Sequence, residues 1–213
     1  MGNWHRETIS NFDNLTVCGS FDIKPARQEF AKSHGITPYN SFEEVLADPK
    51  VDIVLCATPN DSHRDICVRS LEAGKHVVCE KPVTLSSSDL QAMIDASHKS
   101  GKLLVVHQNR RWDEDFLTIK DIFNRRVLGD VFRIESRVHG SRGIPGDWRQ
   151  EKEHGGGMIL DWGVHLFDQI LQMVPGKLEK VYATVTNVTN ELVDDGFFAD
   201  LTFYNGIVAH VEV

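Results

Sequence analysis

The sequence has no C-x-x-C pair, and its ten histidines and four cysteines never fall in zinc-finger spacing. That removes the usual structural zinc sites, and no metal is expected. No apolar run approaches the ~18 residues that a membrane-spanning helix needs. The stretch MGNWHRETIS lacks a hydrophobic signal region, and Arg6 stands where a myristoylation motif requires Ser or Thr. Positive charge is also short. Against 31 acidic residues stand 23 Lys and Arg, for a net charge of −8, with no basic face. A phosphate-backbone binder is excluded on that ground, so neither nucleic acid nor membrane is expected as a partner. No repeat or low-complexity segment interrupts the 213 residues, of which 41% are hydrophobic and 25% charged. This is the composition of a globular chain with room for one large domain or two small ones. Cys56 and Cys79 lie inside apolar runs, where a thiol behaves as a small hydrophobe. A reduced, cytoplasmic setting follows.

The first half alternates strand and helix. LTVCGSFD, ending at Asp22, reads as a strand, followed by a helix over 25–34. SFEEVLAD reads as a short helix with Ser41 as N-cap and Glu44 completing a capping box. VDIVLCATP is a continuous apolar strand of the kind buried in a parallel sheet. A helix over 62–73 stops at Gly74, strand HVVCEKP follows, and a helix over 87–100 closed by Gly101 leads into strand KLLVVHQ. These are βαβ units, hence a Rossmann-like parallel α/β sheet. The second half changes character. DVFRIESRVHG alternates, with Phe132, Ile134 and Val138 on one face. In FFADLTFYNGIVAHVEV, Asn205-Gly206 signals a hairpin with a type I′ turn. An α+β domain with an open, mostly antiparallel sheet is expected, giving domains at 1–110 and 111–213. Both ends read as truncated: the first strand and its Gly-rich turn are missing, and the chain stops in mid-strand.

Ligands of open α/β sheets bind at the carboxyl ends of the strands. Asp22 stands where a carboxylate would accept the ribose hydroxyls of a dinucleotide, or simply starts a helix. Thr58, Pro59 and Asn60 form a polar turn after the apolar strand, either a site or an ordinary cap. Glu80 and Lys81 sit at a strand tip, where an ammonium can polarise an oxygen or merely be solvated. GGGMILDWGVHLFDQIL (155–171) is apolar nearly all round yet carries Asp161, His165 and Asp168. At 100° per residue these and Gln172 fall within about 60° of one another. So narrow a stripe lines a polar pocket, with Asp161 one turn from His165 and able to orient it as a general acid/base. A satisfied structural Asp–His pair is the alternative. Gly155–Gly157 allow the backbone to approach another object closely.

Together, ATPNDSH, LEAGKHVVCEKP and GGGMILDWGVHLFD resemble the glucose–fructose oxidoreductase / inositol dehydrogenase / rhizopine catabolism family (Gfo/Idh/MocA) over essentially the whole chain. The resemblance implies an NAD(P)-dependent dehydrogenase acting on a secondary hydroxyl of a sugar or inositol-like cyclitol. It places Lys81, Asp161 and His165 in the catalytic trio and Asp168 against substrate. It places Gly2, Asp22, Thr58, Pro59, Asn60, His63, Glu80, Lys81, Gln108 and Asn109 toward the cofactor, and adds Arg111 and Trp112 as substrate contacts. Asp22 favours NAD over NADP, because a carboxylate repels a 2′-phosphate, although Lys24 nearby could accommodate NADP. The loop SRGIPGDWR is expected to shape the substrate pocket. Family members continue past Val213 into an open sheet that forms the oligomer interface, so a homodimer or homotetramer is implied. Rival readings are an NAD-dependent glycosidase or epimerase with transient oxidation, a non-catalytic sugar or nucleotide sensor, and an inert fragment.

Overall fold

The computed structural model describes residues 1–141 and 143–213. The chain divides into two compact units, 1–58 with 62–106, and 59–61 with 107–213.

The first unit opens with α1 (Gly2–Ile9), α2 (Pro25–Ser33) and α3 (Phe42–Ala47). Ser41 caps α3 by accepting from Glu44 N–H at 3.2 Å, while the Glu44 carboxylate reaches back to Asn40 N–H at 2.8 Å. The capping box thus closes one residue further out than expected. Then come β1 (Ile53–Cys56), α4 (His63–Glu72), β2 (His76–Glu80), α5 (Ser87–Ser100) and β3 (Leu104–His107), a three-stranded sheet in the order β1-β2-β3. Strands β1 and β2 run parallel, with Ile53 opposite His76 and Cys56 opposite Cys79. α5 is capped by the Ser86 hydroxyl, which accepts from Asp89 N–H, and ends on Gly101 at φ +66°. The core joins both strands to both helices through Cys56, Val77 and Cys79, and Cys67, Leu71, Met93 and Ala96. Three of its members, Cys56, Cys67 and Cys79, place their sulfurs within 4.8 Å of one another.

The stretch 15–22 is a correction to the expected strand. It makes a single isolated bridge, Ser20 to Pro38. Ser20 N–H donates to Thr37 O, and Tyr39 N–H donates to Ser20 O. Apolar character without a run of paired neighbours does not make a strand there.

The second unit contains α6 (Glu114–Asn124), β4 (Arg133–Arg137), α7 (Val164–Met173), β5 (Leu178–Thr186), β6 (Gly196–Phe203) and β7 (Val208–Glu212). The sheet order is β4-β7-β6-β5; β4 pairs with β7 in parallel and the other two pairings are antiparallel. On β6 the buried residues Phe197, Ala199, Leu201 and Phe203 alternate with outward Phe198, Asp200 and Thr202. Leu166, Ile170 and Met173, at helical spacing on α7, join that buried face in one core. Each such side chain contributes about 1.5–3 kcal/mol on burial. The β6–β7 turn departs from type I′. Phe203 N–H donates to Ile207 O and Gly206 N–H to Phe203 O, and only Gly206 has positive φ, +84°. Type I′ requires positive φ at two residues; a three-residue loop with Gly206 left-handed is the bulged alternative. Phe132, expected on the core face, is 77% exposed. α6 and β5 emerge only from the structure: on α6 Leu117 and Ile119 are exposed beside buried Phe116, so no clean apolar stripe marks it.

Candidate functional site

In the first unit Thr58 and Lys81 follow the carboxyl ends of β1 and β2, while Gly2 and Asp22 stand beside α1 and α2. α1 starts at Gly2 without a side-chain cap, and a Cβ on Gly2 would meet nothing within 4 Å. The first N–H groups of that helix are therefore suited to an anion. Asp22 lies exposed between Phe21 and Ile23, and its Oδ1 accepts from Lys24 N–H at 2.8 Å, so it also starts α2. Thr58 is exposed; its hydroxyl accepts from Ser62 Oγ at 2.7 Å. Lys81 follows β2 directly, half-buried, its backbone N–H donating to Glu80 Oε2.

Three of the residues expected toward the cofactor are engaged by protein groups. His63 is fully buried, its ring nitrogens 2.9 Å from Pro82 O and 3.0 Å from Thr58 O. It ties together the turns that follow β1 and β2, and no surface remains for a ligand. Glu80 is 6% exposed, and its Oε1 lies 2.5 Å from Nε2 of His5, itself buried on α1. Its carboxylate faces the protein interior. Asn60, in the second unit, is 3% exposed and donates from Nδ2 to Gly155 O at 2.8 Å, clipping the turn after β1 to the glycine run. All three sit beside exposed or half-buried polar positions and are held by protein partners.

In the second unit the glycine run explains itself. The object that its backbone approaches is the 3₁₀ segment Trp148–Gln150 with its neighbours. Gly157 N–H donates to Arg149 O and Gly156 N–H to Glu151 O. A Cβ on Gly156 would overlap Arg149 O, and one on Gly157, at φ +103°, would overlap the Asp194 carboxylate. Asp194 in turn accepts Ile159 N–H at 2.8 Å, capping the helix start from a distant loop. Residues Ile159–Gly163 form a π-helical turn that leads into α7. Asp161 lies in that wider turn, so the expected 100° stripe does not hold at its first member. Such turns concentrate at functional sites. Asp161 is paired with Arg149, Nε to Oδ1 at 3.2 Å. His165 is 5% exposed, with the Trp162 ring edge-on at 6.2 Å, and Arg110 stacks on that ring at 4.4 Å. Asp168 holds Arg111 through two hydrogen bonds. Gln172, the outer end of the stripe, is exposed.

The 3₁₀ turn Asn109–Trp112 is tied to α7 by Gln108 Nε2 to Val164 O and by Gln169 Nε2 to Arg110 O. Asn109 is half-buried. Gln108 Oε1 is buried and has no protein partner among the described residues, an acceptor waiting for a donor. Trp112 is 75% exposed. Pro59 is half-buried between Thr58 and Asn60. Of the loop expected to shape the pocket, Arg142 lies outside the described residues. The sequence places Arg149 only within the loop expected to shape the pocket, and it does not mark Asp194 or His5, because each meets its partner through the fold. No helix among the described residues is long and apolar enough to cross a membrane.

Residues 1–108 match a family described as oxidoreductase, NAD-binding Rossmann fold, and residues 116–213 match the GFO/IDH/MocA C-terminal domain. A NAD-binding protein from Listeria innocua is 55% identical over 100% of this chain and 63% of its own, with a TM-score of 0.97. A myo-inositol 2-dehydrogenase from Thermotoga maritima is 29% identical over 90% of this chain and 57% of its own length. A scyllo-inositol 2-dehydrogenase (NADP(+)) from Bacillus subtilis is 34% identical over 63% of this chain and 38% of its own length. The chain thus spans between 38% and 63% of these three relatives.

Proposed function

We propose a function on the premise that this chain belongs to the Gfo/Idh/MocA family of oxidoreductases with an NAD-binding Rossmann fold. The protein of which these residues are part is an NAD-dependent dehydrogenase of a secondary hydroxyl in a polyol, of the sugar or inositol class. The observation that carries this is the buried His165 one turn after Asp161, on a helix start that glycines and Asp194 lock in place. A surface structural pair would need no such preorganisation.

The dinucleotide fits the first unit. The uncapped start of α1 suits the pyrophosphate, and exposed Asp22, beside apolar Phe21 and Ile23, suits the adenosine ribose. Thr58 and Lys81 border the same strand ends, and Gln108, Asn109 and Pro59 are the second unit's candidates. When bound, the nicotinamide supplies the hydride acceptor or donor. The chain's own residues manage the proton. His165 takes it from the substrate hydroxyl, Lys81 stabilises the alkoxide that develops, and Asp161 orients the imidazole and a neighbouring hydroxyl. Two such groups contribute about 10²–10⁴-fold, with positioning supplying much of the remainder. Arg111, Asp168 and Trp112 complete the substrate side. Four free cysteines agree with a cytoplasmic enzyme. The outward face of the β4-β7-β6-β5 sheet, with Arg133, Lys180, Tyr182 and His210, is the surface for a homodimer or homotetramer.

The test is turnover of a sugar and cyclitol panel with NAD and NADP by the full-length protein, its H165A and K81A variants alongside. Loss of about 10²-fold or more in kcat is expected in each variant. Activity within a few-fold of the parent would remove both residues from the mechanism. Steady release of reduced cofactor also separates net oxidation from a transient redox step, and a sensor would give none.

A further inference from the structure

We propose that Arg149 is a positioning residue for this reaction, a clamp that fixes the Asp161 carboxylate and, with the same residue's backbone, the turn that presents it. The inference rests on the dehydrogenase reading above.

Arg149 meets the helix start in three ways. Its Nε donates to Asp161 Oδ1 at 3.2 Å. Its carbonyl accepts Gly157 N–H at 3.0 Å, four residues before Asp161. That carbonyl also occupies the space that a Cβ on Gly156 would need. One residue therefore holds both the backbone that leads into the π turn and the carboxylate that the turn carries.

The guanidinium is itself held before it reaches Asp161. It stacks on the Trp148 ring at 4.5 Å, and Nη1 donates to Asp147 Oδ2 at 2.9 Å. Asp147 Oδ1 accepts the Arg149 backbone N–H at 2.9 Å, closing a small ring around the arginine. The group left facing the helix is the Nε edge. Side-chain exposure is 20% for Arg149 and 16% for Asp161, so solvent screens this pair less than an ordinary surface bridge. A carboxylate that must orient an imidazole gains from such a partner, because it otherwise samples several rotamers and loses alignment at each turnover. Lysine could supply the charge but not the planar edge stacked on tryptophan.

The test compares R149Q, R149K, D161N and the double variant R149Q/D161N in the full-length protein, with crystal structures of the parent and R149Q. R149Q is expected to lower kcat about 10- to 100-fold, a fraction of what a positioned proton-transfer group contributes, with the KM for NAD unchanged. R149K recovers part of the loss. R149Q added to D161N costs little more than D161N by itself, because the arginine acts through that carboxylate. In the R149Q crystal the Asp161 carboxylate leaves its parental rotamer. A kcat within about twofold of the parent, multiplying losses in the double variant, or an Asp161 carboxylate unmoved in R149Q, overturns the clamp. Absence of turnover by the parent on the whole panel counts against the dehydrogenase reading instead, and the crystallographic comparison then decides the clamp by itself.

Discussion

Arg111 and Asp168 grip each other through two parallel hydrogen bonds, Nε to Oδ2 at 2.7 Å and Nη2 to Oδ1 at 2.6 Å, although 57 positions separate them. Both were expected to touch substrate, and what the structure adds is that each is already engaged by the other. This two-pronged geometry is specific to arginine and carboxylate. The arginine side chain is 43% exposed, so the pair is worth only about 0–1 kcal/mol to stability. The expected outcome for D168N and R111K is a raised KM for the polyol, with denaturation midpoints close to the parent. An unchanged KM in both would make the pair a plain surface bridge.

Asp22 is the residue proposed to favour NAD over NADP. Its exposed carboxylate repels a 2′-phosphate, even though one oxygen also serves Lys24 N–H. D22S should shift the ratio of kcat/KM values toward NADP by about tenfold or more, equivalent to ~1.4 kcal/mol. A ratio that stays put would place the ribose elsewhere.

His63 is predicted to matter for folding rather than for the cofactor. Replacing it by Phe keeps a ring but leaves the Pro82 carbonyl, in a buried contact, without its partner. The cost should be about 2–4 kcal/mol in urea unfolding, with NAD affinity of the folded fraction unaltered. Weaker NAD binding with parental stability would restore it to the cofactor site.

Tyr39 gives a pH signature. Its hydroxyl is pushed up to about 12, chiefly by the hydrogen bond it donates to Asp48 Oδ2 at 2.6 Å and then by burial. The same bond holds the Asp48 carboxyl below its ordinary value. A raised folded-state value stabilises fully below the unfolded value of 10.0 and is lost as pH rises through about 12. Asp48 behaves in the opposite sense: its contribution is present above the ordinary carboxylate value and disappears as pH falls through the lowered one. Of the three tyrosines, one should ionise late in an absorbance titration, and Y39F should abolish that step and flatten stability at both pH extremes. Three tyrosines ionising together would contradict the bond.

Much of the fold was readable from local pattern. The caps Ser41 and Gly101 stand where local residue chemistry put them, and β1, β2 and α5 follow runs whose period needs no distant partner. The exceptions have a common cause. Residues 15–22 are apolar enough for a strand, yet their pairing stops at the isolated bridge from Ser20 to Pro38. Asn205-Gly206 signals a hairpin correctly, but where the two strands meet selects the bulged loop over type I′.

By itself, then, the order of residues determined most of the element types, a parallel sheet followed by a mostly antiparallel one, and the family to which the motifs belong. It also marked Lys81, Asp161 and His165 as the groups with proton chemistry to offer. Only the tertiary structure decided which polar groups are occupied by one another: Arg149 with Asp161, Arg111 with Asp168, His5 with Glu80, His63 with two carbonyls. The physical reason is range. Helical period, capping and turn propensity act over a few residues along the chain, whereas a hydrogen bond or ion pair depends on distance in space, which the packed chain alone sets.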